Sequence, residues 1–130
     1  MSFEEITIQK EKIFDRGKIE KIIRDFCVKK GYLIGDPEKC KNNCQNWNQQ
    51  IGLELMYNHG INTRMLNVVK KDFSSNFKHA VEDDVAHHCF VEIIGDDIFI
   101  DVTPRQFESN SDDILFLSKD EIMKQDWVEN

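Results

Sequence analysis

The chain has 130 residues, of which 40% are hydrophobic, with 9 Phe and 2 Trp but only 2 Pro and 6 Gly. That composition supports one ordered domain over residues 1–130 and argues against a tail or linker. The formal net charge of -7 repels phosphate backbones and anionic membranes, which excludes nucleic acid and membrane as first-choice partners.

No run approaches the roughly 20 apolar residues needed to span a bilayer. The opening MSFEEITIQKEK lacks the basic start and apolar core of a signal peptide, so a cytoplasmic protein is expected. Lysines cluster near 10–12, 18–30 and 39–41, but acids interleave with the first two groups, the pattern of solvated helix faces. The 4 cysteines, Cys27, Cys40, Cys44 and Cys89, are too few for a disulfide scaffold and are expected to be free thiols.

From Gly17 to Lys30, the residues Ile19, Ile22, Ile23, Phe26 and Cys27 fall at helical spacing, and Gly31 closes the pattern as a C-cap. Cys27 lies on the apolar stripe and reads as a buried thiol. A connector, GYLIGDPEKCKNN, leads to CQNWNQQIGLELMYNHG, where Cys44, Trp47, Asn48, Ile51 and Leu55 share one helical face and Gly60 is the stop. Asn42 or Asn43 as cap puts Cys44 in the first turn. A start at Asp36 and Pro37 puts Cys40 there instead.

The segment INTRMLNVVKKDF suits a strand, with Met65, Asn67 and Val69 on one face and Leu66 and Val68 on the other. SSNFKHAVEDDVA reads as an exposed loop carrying His79, an ordinary surface histidine. Two strands follow, near 88–94 and 98–102, joined through GDD as a hairpin. A short strand in DILFLS then precedes Ser118 and Glu121, spaced as a capping box. Helices first and an antiparallel sheet after them make an α+β fold.

Asp101 stands out, because Ile98, Phe99, Ile100 and Val102 surround it and a carboxylate leaves water at high cost unless something pairs with it. A hairpin loop with an even number of residues puts Asp101 on the same sheet face as His88, Phe90 and Glu92; an odd loop sends it to the other face. A paired imidazole is held in its charged form, and that charge stabilises a nearby thiolate. A cysteine in the first turn of a helix adds the positive dipole end and unpaired amides that lower a thiol pKa and receive an oxyanion. Nucleophile, proton shuttle and orienting acid thus occur in the order Cys, His, Asp.

The runs CQNWNQQIGLELMYNHGI, HCFVEI and IDVTPRQF together resemble the small papain-like and transglutaminase-like thiol enzymes, including papain-fold domains of bacterial toxins and effectors. The resemblance covers about Cys44 to Phe107, roughly half the chain. It implies a papain-like or transglutaminase-like core of helices packed on an antiparallel sheet, with Cys44 as nucleophile, His88 as general acid and base, and Asp101 as the orienting acid. Thr103 and Gln106 match its supporting polar positions. Cys40 is the alternative nucleophile; Cys44 is preferred because Trp47 matches the family's aromatic three positions on, and because 16 residues to Gly60 suit the helix.

The implied function is thiol-dependent acyl transfer or hydrolysis at an amide, as in a protein glutamine deamidase, peptidase or transglutaminase, with a protein or peptide substrate and no cofactor. Export as an effector is compatible with it. The alternative is a catalytically inactive papain-like fold serving as a protein-binding module. Three plainer readings compete residue by residue. Arg105 rather than His88 pairs with Asp101 at the TPR turn; His87 points to the other face, to solvent or a backbone contact; and Cys40, Cys44, His87, His88 and Cys89 supply zinc ligands, although neighbours on a strand alternate faces.

Overall fold

The structure is a computed structural model that describes residues 15–41, 43–71, 81–82 and 85–129. Helix α1, Arg16–Lys30, begins where the Asp15 side chain accepts from the Lys18 amide. It ends at Gly31, whose φ of 75° lies in the left-handed region that glycine adopts without penalty. Its buried stripe of Ile19, Ile23, Phe26 and Cys27 agrees with the apolar spacing.

The connector holds an additional single turn, α2, Pro37–Cys40, capped by Asp36 with Pro at its first position. Helix α3, Cys44–His59, then starts afresh and stops at Gly60, also left-handed. Both starts suggested by the sequence are therefore used, by two separate helices. Cys44 opens α3, whereas Cys40 closes α2 and occupies no first turn of a long helix.

Strands β1 (Thr63–Lys71), β2 (Val81–Glu82), β3 (Val85–Ile93), β4 (Ile98–Asp101), β5 (Leu115–Leu117) and β6 (Val128–Glu129) form one sheet. The strand order is β5-β4-β3-β1-β6, β2 pairs β3, and every pairing is antiparallel. The sequence reading differs at two places. The stretch expected to be loop up to His87 contributes β2 and the start of β3, where backbone pairing places Val81 opposite Ala86 and Glu82 opposite Val85. Main-chain hydrogen bonds make such a pairing whether or not the side chains alternate. Strand β6 is the second difference, since two exposed residues show no periodicity. His79 lies outside the described residues.

Both faces of the sheet are covered. One carries Val91, Ile93, Ile100 and Val102 against Ile19, Ile23, Trp47, Ile51 and Leu55 from α1 and α3. The other carries Leu66, Val68, Phe90 and Phe99 against Trp127 and Ile122. Ile122 belongs to α4, Lys119–Lys124, which opens with the expected capping box between Ser118 and Glu121. A side chain at Gly52 would put its Cβ 3.5 Å from Val91 Cγ1 and 3.4 Å from Thr63 Oγ1. Those are ordinary contact distances, and α3 lies against the sheet here with Thr63 Oγ1 donating to the Gly52 carbonyl at 2.8 Å. Among the described residues no helix is long and apolar enough to cross a membrane.

Candidate functional site

The β3–β4 hairpin decides whether Asp101 and His88 share a face. Ile93 pairs with Ile98, Glu92 with Phe99 and Val91 with Ile100. Residues 94–97 therefore form the loop, even in number, with Gly95 and Asp97 supplying the positive φ values of 97° and 48°. The parity brings Asp101 out on the His88 and Phe90 face. His88 Nε2–H donates to Asp101 Oδ2 at 2.7 Å, and the two side chains are 1% and 4% exposed.

The other Asp101 oxygen, Oδ1, accepts from the Thr103 amide at 2.8 Å and from Thr103 Oγ1 at 3.2 Å. The carboxylate thus takes part in the turn after β4 and in the histidine pair at once. Arg105 does neither: its guanidinium donates to the carbonyls of Ser111 and Gly35.

Among the described residues, strand pairing on the side of β3 that faces β4 runs to Ala86 with β2 and resumes at Val91 with β4. His88 and Cys89 fall in this opening. The His88 ring is held there by edge contacts with Phe90 and Phe107, at centroid distances of 4.9 and 4.8 Å, and by Trp127 at 5.6 Å. Gln106, on the turn Pro104–Gln106, places Nε2 3.0 Å from His88 Nδ1 and 3.4 Å from Thr103 Oγ1. A neutral ring with its hydrogen on Nε2 accepts at Nδ1 from Gln106. A charged ring directs Nδ1–H to Cys44, and the Gln106 amide also donates to that sulfur.

Cys44 is the first residue of α3, and Asn43 before it makes no side-chain cap, its amide donating instead to the Lys39 carbonyl at 2.6 Å. Asn43 thus leaves the first-turn N–H groups, beside the sulfur at the positive end of the helix, without a cap from its side chain. A hydrogen bond from Cys89, opposed by burial and reinforced by hydrogen bonding and charge from His88 and by Gln106, lowers the Cys44 thiol to about 4. Burial works against the imidazolium of His88, but the charge and hydrogen bond of Asp101, together with Cys44, outweigh it and raise the ring to about 9. Thiolate and imidazolium therefore coexist across neutral pH.

The other thiols differ in kind. Cys40 is fully buried, donates to the Ile34 carbonyl at 3.3 Å and is pushed up to about 12, chiefly by burial and then by Asp101 and Asp36. Burial likewise raises Cys27 to about 11. Cys89 is raised as well, because its proton is held in the bond to Cys44 and because it is buried. The His87 side chain is itself exposed. Among the described residues no three His, Cys, Asp or Glu side chains converge to hold a metal ion.

Two residues of the site were not recognised in the sequence. Asn48 was read only as part of the buried stripe of α3. Fully buried, it donates to the Cys44 carbonyl at 2.8 Å and to Thr103 Oγ1 at 3.3 Å, and it accepts from the Val102 amide at 3.0 Å. It therefore ties the first turn of α3 to the backbone that follows Asp101. The available signal was an amide on an otherwise apolar helix face four positions after Cys44, since a buried amide must find partners. Cys89, weighed only as a zinc ligand, donates to the Cys44 carbonyl at 3.3 Å.

Comparison with family models, with curated proteins and with solved structures found no match.

The charge state predicts selective alkylation. Iodoacetamide labels Cys44 ahead of Cys27, Cys40 and Cys89, and the rate holds as pH falls from 8 towards about 5 rather than dropping about tenfold per unit as an ordinary thiol of pKa about 8.5 does. His88→Ala restores that drop. Peptide mapping after timed quenching measures both; labelling spread evenly over four slow thiols contradicts the assignment. Asn48→Ala leaves the Val102 amide unpaired and costs about 1–3 kcal/mol in chemical denaturation, and it slows Cys44 alkylation by loosening the first turn. Unchanged stability contradicts the role given to Asn48.

Proposed function

We propose that the protein is a thiol-dependent acyltransferase or hydrolase acting at an amide, with Cys44 as nucleophile, His88 as proton carrier and Asp101 as the acid that orients and charges the ring. We further propose that its helix and sheet form a papain-like or transglutaminase-like core. The observation that carries this reading is the buried chain of contacts from Asp101 through both nitrogens of His88 to the thiol at the start of α3.

The chemistry follows from where the charges lie. The Cys44 thiolate attacks the amide carbonyl carbon, and the carbonyl π electrons move to oxygen. The first-turn N–H groups of α3 and the Gln106 amide are the donors suited to that oxyanion. His88 gives its Nδ1 proton to the amide nitrogen, the C–N bond breaks, and ammonia or an amine leaves behind a thioester. The neutral ring, still bonded to Asp101 through Nε2–H, then accepts a proton from water or from an amine that attacks the thioester. Collapse of the second tetrahedral intermediate returns thiolate and imidazolium. Water as acceptor makes the reaction a deamidation or proteolysis; an amine makes it a transamidation.

Cys40 takes no part in this reading, since a fully buried thiol bonded to a carbonyl has no route to a substrate. Thr103 and Gln106 act on the orientation of Asp101 and His88. An open groove of about 540 Å³ is lined by Pro37, Glu38, Lys41, Phe107 and Gln106, and it meets the site only through Gln106. A wide groove with charged walls suits a side chain presented on a protein surface better than a small free metabolite, and a protein glutamine fits this description.

The test is ammonia release from a panel of glutamine- and asparagine-containing proteins and peptides, with hydroxylamine added to intercept the thioester as a hydroxamate. Cys44→Ala abolishes both signals, and His88→Ala and Asp101→Asn lower kcat by about 10²- to 10⁴-fold. Cys40→Ala leaves kcat within a factor of about two, as expected for a thiol outside the reacting set. Turnover that survives Cys44→Ala, or no hydroxamate from any member of the panel, contradicts the proposal and favours a binding module.

A further inference from the structure

Among the described residues, Cys89 is the second thiol at the site, and the proposed reaction does not use it. It is 2% exposed, its sulfur lies 3.3 Å from the Cys44 carbonyl oxygen, and its one proton is placed to go to that oxygen or to the Cys44 sulfur. The two residues sit on elements that hold them in place: Cys44 on the helix turn secured by Asn48, and Cys89 in the middle of β3, opposite Asn67 of β1. A small oxidant reaches the partly exposed Cys44 before it reaches the buried Cys89. Cys40 and Cys27, the remaining thiols, are buried in the core formed with helices α1 and α3.

We propose that Cys44 and Cys89 form a peroxide-responsive pair in which oxidation at Cys44 is captured by Cys89 as a reversible disulfide. This rests on the reading of Cys44 as a thiolate nucleophile. In the first step the Cys44 thiolate attacks one oxygen of a hydroperoxide. The O–O bond breaks, the sulfur is oxidised to a sulfenic acid, and the leaving oxygen takes up a proton and departs as water or an alcohol. In the second step the Cys89 sulfur attacks the Cys44 sulfur, the S–O bond breaks, and the hydroxide leaves as water with the proton given up by Cys89. Two thiols and one peroxide thus become one disulfide and two molecules of water, or one of water and one of alcohol.

The chemical need for such a partner lies in the thiolate. A sulfur kept ionised at neutral pH is the one most exposed to peroxide, and a sulfenic acid with no neighbouring thiol proceeds irreversibly to the sulfinic acid. Conversion of Cys44 to the sulfenic acid also removes the negative charge that holds the Cys89 proton, so the partner is released for attack only after the first step has occurred. The disulfide silences the nucleophile, and a dithiol reductant restores it.

Treatment of the folded protein with hydrogen peroxide, followed by intact-mass measurement and non-reducing peptide mapping, tests the pair. The expected result is a loss of two hydrogens, a cross-linked peptide joining Cys44 to Cys89, loss of iodoacetamide labelling at Cys44, and recovery of both on addition of dithiothreitol. In Cys89→Ser, Cys44 instead gains two oxygens and dithiothreitol restores nothing. The wild-type cross-link decides the matter even where that variant folds poorly. A wild-type protein whose Cys44 goes directly to the sulfinic acid, or joins Cys40, while still alkylating rapidly before oxidation, overturns the pair and leaves the nucleophile standing. A Cys44 that neither oxidises nor alkylates overturns both.

Discussion

A single buried hydrogen bond, His88 Nε2–H to Asp101 Oδ2 at 2.7 Å, organises the rest of the site. A carboxylate with apolar neighbours on its strand is costly to bury, and several kcal/mol of desolvation penalty is a fair scale for an unpaired one. Here the charge is met from three directions: by His88 at one oxygen, and by the Thr103 amide and hydroxyl at the other. That arrangement fixes the Nε2 hydrogen on the ring, which leaves Nδ1 as the nitrogen that faces the thiol. Electrostatics then runs in one direction, from a fixed negative charge to a charged ring to a thiolate.

The backbone makes the geometry available. The even hairpin loop sets which face Asp101 takes, and the opening in the pairing of β3 between β2 and β4 leaves room for the first turn of α3 to approach His88. Asn48 closes the arrangement by bonding the helix start and the chain after β4 together. Its three partners lie on two elements, so its position constrains both. The thiol, the ring and the acid each stand on a different piece of secondary structure, and Asn48 is the direct hydrogen-bonded link between the piece that carries the thiol and the piece that carries the acid.

Much of this was legible in the residues. The apolar spacing of α1 and α3, with glycine after each, marks helices that begin and end within a residue or so of the observed ones. The isolation of Asp101 among apolar strand residues pointed to a partner, and His88 was the residue that an even loop puts within reach. Other features depend on contacts between segments far apart in the chain. Cys40 and Cys44 looked alike because both lie near a helix-start signal; what separates them is that Cys40 ends a one-turn helix and turns into the core. Asn48 looked like part of a stripe because its partners, Val102 and Thr103, are 54 and 55 residues away. Strands β2 and β6, two residues each, are too short to carry a periodic pattern.

The central claim is that His88 is an imidazolium facing a thiolate at neutral pH. The most direct measurement is the nitrogen-15 NMR titration of the His88 ring in the wild-type protein and in Cys44→Ser. The account predicts two protonated ring nitrogens for His88 at pH 7 and a transition near about 9, with a lower transition in Cys44→Ser, because removing the thiolate removes part of what holds the proton. A ring that is neutral at pH 7 in the wild type, with a transition that the Cys44 substitution does not move, contradicts the ion pair and with it the proposed chemistry.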